Sequence, residues 1–114
     1  AMLDYQIGEI LAHAPLGEDG SWPCESVREA VNDLYSVEIE RGITIGRYNA
    51  RGVTWRGEGG AQERELADQY EGWAKACEFE HPRMARILRE MVRKYIAEAE
   101  WQDNEAMIRR RMRY

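Results

Sequence analysis

The residues with catalytic potential are few. Glu78-Phe79-Glu80-His81 spells E-x-x-H, a spacing that sets a carboxylate and an imidazole on one helix face in di-iron bundles. Such a centre needs a second copy and two further inward Glu. No second copy occurs, Ile10 stands where an acid would have to precede His13, and this copy lies at a chain break before Pro82. His81 therefore reads as a surface or capping residue, and no metal is expected. Cys24 and Cys77 fall on apolar helix faces and read as small buried hydrophobes; two Cys cannot build a disulfide framework or a Cys₄ zinc site. No G-x-S-x-G occurs, and Ser21, Ser26 and Ser36 lie at or near helix starts, so no nucleophile is in view. The expectation is a non-enzymatic protein with no cofactor.

A second group of residues suits binding. Thr54 to Gly60 (TWRGEGG) is rich in Gly and reads as a linker. It matches neither G-x-x-x-x-G-K-[ST] nor G-x-G-x-x-G. The helix expected from Ala61 offers free N–H groups, so an anion or small-ligand site over 51–64 is one reading, with Arg51 and Arg56 assisting. Arg47, Tyr48, Asn49, Arg51, Trp55, Arg56 and Arg64 crowd this stretch, and Arg, Tyr and Trp are enriched where proteins meet. They form the first candidate interaction surface.

The second lies at the C-terminal end: Trp101, Met107, Ile108, Arg109, Arg110, Arg111, Met112 and Arg113. Charge is uneven along the chain. Residues 1–46 hold 9 acids and 2 bases, residues 47–114 hold 12 acids and 14 bases, and the net is −5. Arg83, Arg86, Arg89, Arg93 and Lys94 mark a basic face over 83–94, and 109–113 a basic tail, which together suggest a nucleic-acid surface. Glu90, Glu98, Glu100, Asp103 and Glu105 interleave with them, which favours a solvated face of i, i+4 pairs instead. An acidic first half and a basic second half suit two copies meeting, or a partner of opposite sign. Four Trp, six Tyr and five Met exceed the needs of a small core, which puts Trp55, Trp101 and Met112 at an interface.

The elements that must position these residues follow from apolar spacing. Leu3, Ile7, Ile10, Leu11 and Ala14 predict a helix over 3–14, stopped by Pro15. Pro23 suits the first turn of a helix over 23–35 bearing Cys24, Val27, Val31, Leu34 and Tyr35. Residues 37–50 fit a β-hairpin by their β-branched content. They fit a helix better: Ser36 is an N-cap, Arg51-Gly52-Val53 a Schellman-type end, and Gly42 and Gly46 an i, i+4 pair open to a close neighbour. Leu66, Tyr70, Trp73, Ala74 and Cys77 define a helix over 61–77, and Met84 to Ala99 one from Pro82 to 100. The short break makes these two antiparallel neighbours. Past Glu100 the stripe loses phase, and Asp103 or Asn104 could cap a new segment. An unbroken helix over 82–113 would run about 48 Å, against a globule of roughly 34 Å, so 101–114 must bend back or project as an assembly arm.

One domain over 2–114 is expected, Ala1 reading as an added residue before a native Met2. It is all-α: a small bundle of four to six helices with a central antiparallel hairpin and a long C-terminal helix. The core should comprise Leu11, Val31, Leu34, Leu66, Tyr70, Trp73, Leu88, Met91 and Tyr95, with helices 3–14 and 23–35 closing on the hairpin. No run of 18 apolar residues exists, so no membrane partner is expected. The centre of the chain, Gly46-Arg47-Tyr48-Asn49-Ala50-Arg51-Gly52-Val53, Arg56-Gly57-Glu58-Gly59-Gly60, Gln62-Glu63-Arg64, Tyr70…Trp73-Ala74, Pro82-Arg83 and Leu88-Arg89, resembles a set of small bacterial proteins of unknown function over most of 36–103. That resemblance implies a helical protein and no chemistry. The overall reading is a cytoplasmic, self-associating interaction protein, as a homodimer or with another protein partner, in a bacterium or mobile element.

Overall fold

The computed structural model describes residues 2–50 and 60–112. Among them are five α-helices and no strand: α1 (Met2–Leu11), α2 (Glu25–Leu34), α3 (Val37–Ala50), α4 (Ala61–Cys77) and α5 (Pro82–Met112). The chain is all-α, and 37–50 is a helix. Ser36 caps it, its Oγ accepting the Ile39 N–H at 3.1 Å.

Glycine decides how α3 is used. Gly8 of α1 meets Gly42 across the helix pair, and a Cβ added at Gly42 would lie 2.9 Å from the Gly8 Cα and closer still to the Tyr5 carbonyl oxygen. A Cβ at Gly46 would lie 2.8 Å from that of Ala12. The two backbones touch, so α1 packs along α3 rather than closing on α4 and α5. This rotates α1 from the expected face, of which Leu11 and Ala14 still pack against the core. Gly8 and Ala12 turn inward, while Leu3 (65 % exposed) and Ile10 (72 %) face out. Helix 1 also ends at Leu11, not at 14.

The segment from Pro15 to Cys24 is wound around Arg28 of α2. The buried guanidinium donates from Nε to the Pro23 carbonyl (2.6 Å), and from Nη2 to the Ser21 carbonyl (3.1 Å) and Asp19 Oδ1 (2.9 Å). The Trp22–Pro23 peptide is cis, and α2 starts at Glu25, so Pro23 precedes the helix instead of opening it. Arg28 takes a place on the inward face beside Val31. That rotates the buried stripe away from Leu34, which is exposed and not in the core.

α4 and α5 carry most of the remaining core. Contacts descend along α5 as α4 ascends: Gly60 lies against Ala99, Tyr70 stacks on Tyr95, and Glu78 pairs with Arg89. Met84, Ile87, Leu88, Met91 and Tyr95 are buried, as are Ala67, Tyr70, Ala74 and Cys77, with Leu66 and Trp73 half-buried at the edge and Leu11 packed against the cluster from outside. Of the two alternatives expected past Glu100, bending back or projecting, the helix takes the second and runs on to Met112. No Gly or Pro interrupts 83–112, and Asp103 and Asn104 lie mid-helix. At 1.5 Å per residue α5 is about 46 Å long. It draws the molecule out to 55 × 31 × 19 Å with a radius of gyration of 15.8 Å, against about 13 Å for a compact chain of this size.

Two glycines test this packing in opposite senses. Alanine is the better helix former by up to ~1 kcal/mol at an exposed position. At Gly42 the added methyl collides with backbone, so Gly42→Ala should destabilise by about 1–3 kcal/mol in urea unfolding. Nothing lies within 4 Å of a Cβ at Gly72, so Gly72→Ala should stabilise by about 0.5–1 kcal/mol. A gain at Gly42 would contradict backbone contact between α1 and α3.

Candidate functional site

The first candidate surface is divided by the fold. Arg47 is not offered to solvent as an anchor. Its guanidinium lies 4.4 Å from the Trp22 ring centroid and 5.9 Å from those of Tyr70 and Trp73, with Nε donating to the Tyr70 hydroxyl at 2.7 Å. The rings form a continuous cluster: Trp22 on Trp73 (6.3 Å), Trp73 on Tyr70 (5.0 Å), Tyr70 on Tyr95 (5.7 Å) and Tyr95 on Tyr48 (5.9 Å). Tyr48 is half-buried, donates to Glu98 Oε2 at 2.9 Å and has the Lys94 ammonium 4.6 Å from its ring centroid. Asn49 is exposed. Arg51, Trp55 and Arg56, with the loop 51–59, lie outside the described residues.

The described end of the 51–64 site already holds an anion, supplied by the chain. Asp103 of α5 accepts the Gly60 N–H at 2.8 Å through Oδ1, and its Oδ2 pairs with Arg64. A carboxylate at the start of α4 matches the positive end of the helix dipole. It joins Arg64 to the second candidate surface. Gly60, Ala61, Arg64, Asp103, Ala106, Met107 and Arg110 line an open pocket of about 330 Å³ at this junction. Asp103 reads in sequence as a helix start. Its partners are 39 and 43 residues away, and no local pattern announces them. Glu63 is likewise buried, in the first turn of α4, where an acid is an ordinary first-turn residue and gives no sign of burial.

The second candidate surface stays together. Trp101 (60 %), Ile108 (57 %) and Met112 (81 %) are exposed, as are Met107, Arg109, Arg110 and Arg111, while Arg113 lies outside the described residues. Residues 101, 108 and 112 share one face, because spacings of seven and four return to the same side of a helix. The α4-facing stripe runs through Met91, Tyr95, Ala99 and Ala106. From Ala99 to Trp101 the helix turns about 200°. The loss of phase past Glu100 thus marks an apolar stripe changing sides on one continuous helix.

The basic face of α5 is largely engaged within the chain. Arg89 pairs with Glu78 (2.6 Å) and Glu71 (3.5 Å), Arg93 with Glu90, and Arg86 with Glu40 (3.8 Å). The Arg83 guanidinium donates to the Asn32 carbonyl at 3.1 Å. In the tail, Arg109 pairs with Glu105 at 2.8 Å. Glu78 of the E-x-x-H string is thus Arg89's partner, and among the described residues no group of three His, Cys, Asp or Glu could hold a metal ion. Among those residues, too, no helix is long and apolar enough to cross a membrane.

No protein family, curated protein or solved structure matches this chain.

The Asp103 clasp gives a pH signature. The Arg64 hydrogen bond, and after it the Gly60 N–H, hold the Asp103 carboxyl below its ordinary value of 3.8. A carboxyl depressed by folding contributes stability above its unfolded value and loses it as pH falls through the folded one. Asp103→Asn should therefore lower the thermal midpoint at pH 7. The gap to the unaltered chain should narrow as pH drops below 3.8. A gap that does not change with pH would show that the charge of Asp103 is not what makes the clasp.

Proposed function

We propose that this chain is a non-enzymatic helical interaction protein that self-associates as a dimer through its C-terminal arm. It forms one domain over 2–114, a small bundle with α4 and α5 as the central antiparallel hairpin and 101–114 as the arm. A cytoplasmic, bacterial setting is part of this reading. The observation that carries it is the exposed stripe of Trp101, Ile108 and Met112 on the side of α5 turned away from the α4-facing stripe. Large apolar side chains grouped on one exposed helix face signal a partner, whereas single ones do not. The nucleic-acid reading has less support. Four of its cations, Arg86, Arg89, Arg93 and Arg109, are held by carboxylates of the same chain, so fewer remain to displace counterions from phosphates.

Molar mass by light scattering over a concentration series tests the proposal. The intact chain should approach twice its 13.3 kDa as concentration rises. A mass that stays at one chain would remove self-association. Binding to labelled DNA or RNA that weakens steeply with salt would favour the nucleic-acid reading instead.

A further inference from the structure

The arm is polarised along its length. Residues 98–105 carry Glu98, Glu100, Asp103 and Glu105 and no base, and 106–113 carry four Arg and no acid. Laid parallel on itself, such a segment sets like charges side by side. Laid antiparallel, it sets each acidic half on a basic one. Resting on the self-association proposed above, we infer that two copies pair their α5 arms antiparallel across a two-fold axis near residues 104 and 105.

The spacing supports this register. Ala97, Trp101, Ile108 and Met112 lie along one face of α5. About an axis at 104–105, Trp101 of each copy meets Ile108 of the other and Ala97 meets Met112, a small side chain opposite a long one. In an antiparallel pair related by a two-fold, like flanks of the stripe face each other. Glu100 and Arg111 are eleven residues apart, hence on the same flank to within about 20°, and both are exposed. In this register they approach across the interface with an axial offset of about 3 Å, within reach of a guanidinium.

Among the described residues, none covers the stripe that the second arm would meet. α3 lies along α5 upstream of the stripe, with Glu40 at Arg86 (3.8 Å) and Tyr48 at Lys94 and Glu98. Tyr48 is two residues from the end of α3. The incoming Met112 would abut α5 at Ala97, where α3 leaves off.

Charge reversal in the full-length protein tests the pairing. Glu100→Arg alone and Arg111→Glu alone each set like charges together twice per dimer. Each should weaken dimerisation about tenfold or more at low salt, with helicity by circular dichroism unchanged. An equimolar mixture of the two variants restores opposite charges at both contacts, so it should form a heterodimer within about threefold of the original affinity. Trp101→Glu should dissociate the dimer and not be rescued by mixing. If the unaltered chain is monomeric, self-association and this pairing fall together. If it is dimeric and Trp101→Glu leaves it so, self-association stands and the arm interface is overturned. If Trp101→Glu dissociates the dimer but mixing restores nothing, the arm is the interface and the antiparallel register is overturned.

Discussion

The Arg47 guanidinium is where the parts of this molecule meet. It comes from α3, lies over Trp22 of the loop before α2, and is hydrogen-bonded to Tyr70 of α4, which in turn stacks on Tyr95 of α5. Tyr48 of α3 joins the same cluster by stacking on Tyr95. A planar cation can rest on ring faces while its nitrogens still find an acceptor. A lysine ammonium at this place would give up the broad stacking surface. The aromatic cluster thus ties a glycine-packed pair, α1 and α3, to a pair built from larger side chains, α4 and α5.

The two pairs are assembled on different terms. Between α1 and α3 the side chains are missing by design of the sequence: Gly8, Gly42 and Gly46 let main chains touch, and stability there comes from close van der Waals contact. Between α4 and α5 the seam is filled by Met, Leu, Ile and Tyr, and apolar burial dominates. The first pair tolerates almost no added volume. The second has edges, at Leu66 and Trp73, where side chains are only half-covered.

α5 serves two purposes along one axis. Its first half completes the core. Its second half is held by the Asp103 clasp on Gly60 and Arg64, a polar contact that fixes the direction of the arm without covering its apolar stripe. An arm anchored in this way has less conformational freedom to lose when a partner binds.

Much of this was legible in the residues. Apolar spacing placed α1, α2 and α4 within a few residues of their ends and α5 at its start, Ser36 and the glycine pair favoured a helix over a hairpin at 37–50, and the phase change past Glu100 located the exposed stripe. Spacing reports which residues share a face, and it does so reliably wherever one helix has one buried side. It could not say which side of α1 would be buried, because Leu3 and Ile10 make the stronger apolar signal while Gly8 and Ala12 make the contact. Nor could it place Arg28 in the interior at the expense of Leu34, or move Arg47 from a surface to a ring cluster. The partners of Asp103 lie 39 and 43 residues away, and no periodicity carries information over that distance. The sequence by itself determined the helices and the faces they present, since both follow from local backbone preference and a repeat of 3.6 residues. Only the tertiary structure decided which faces are covered, because that depends on how closely two backbones can approach and on polar groups meeting across the chain.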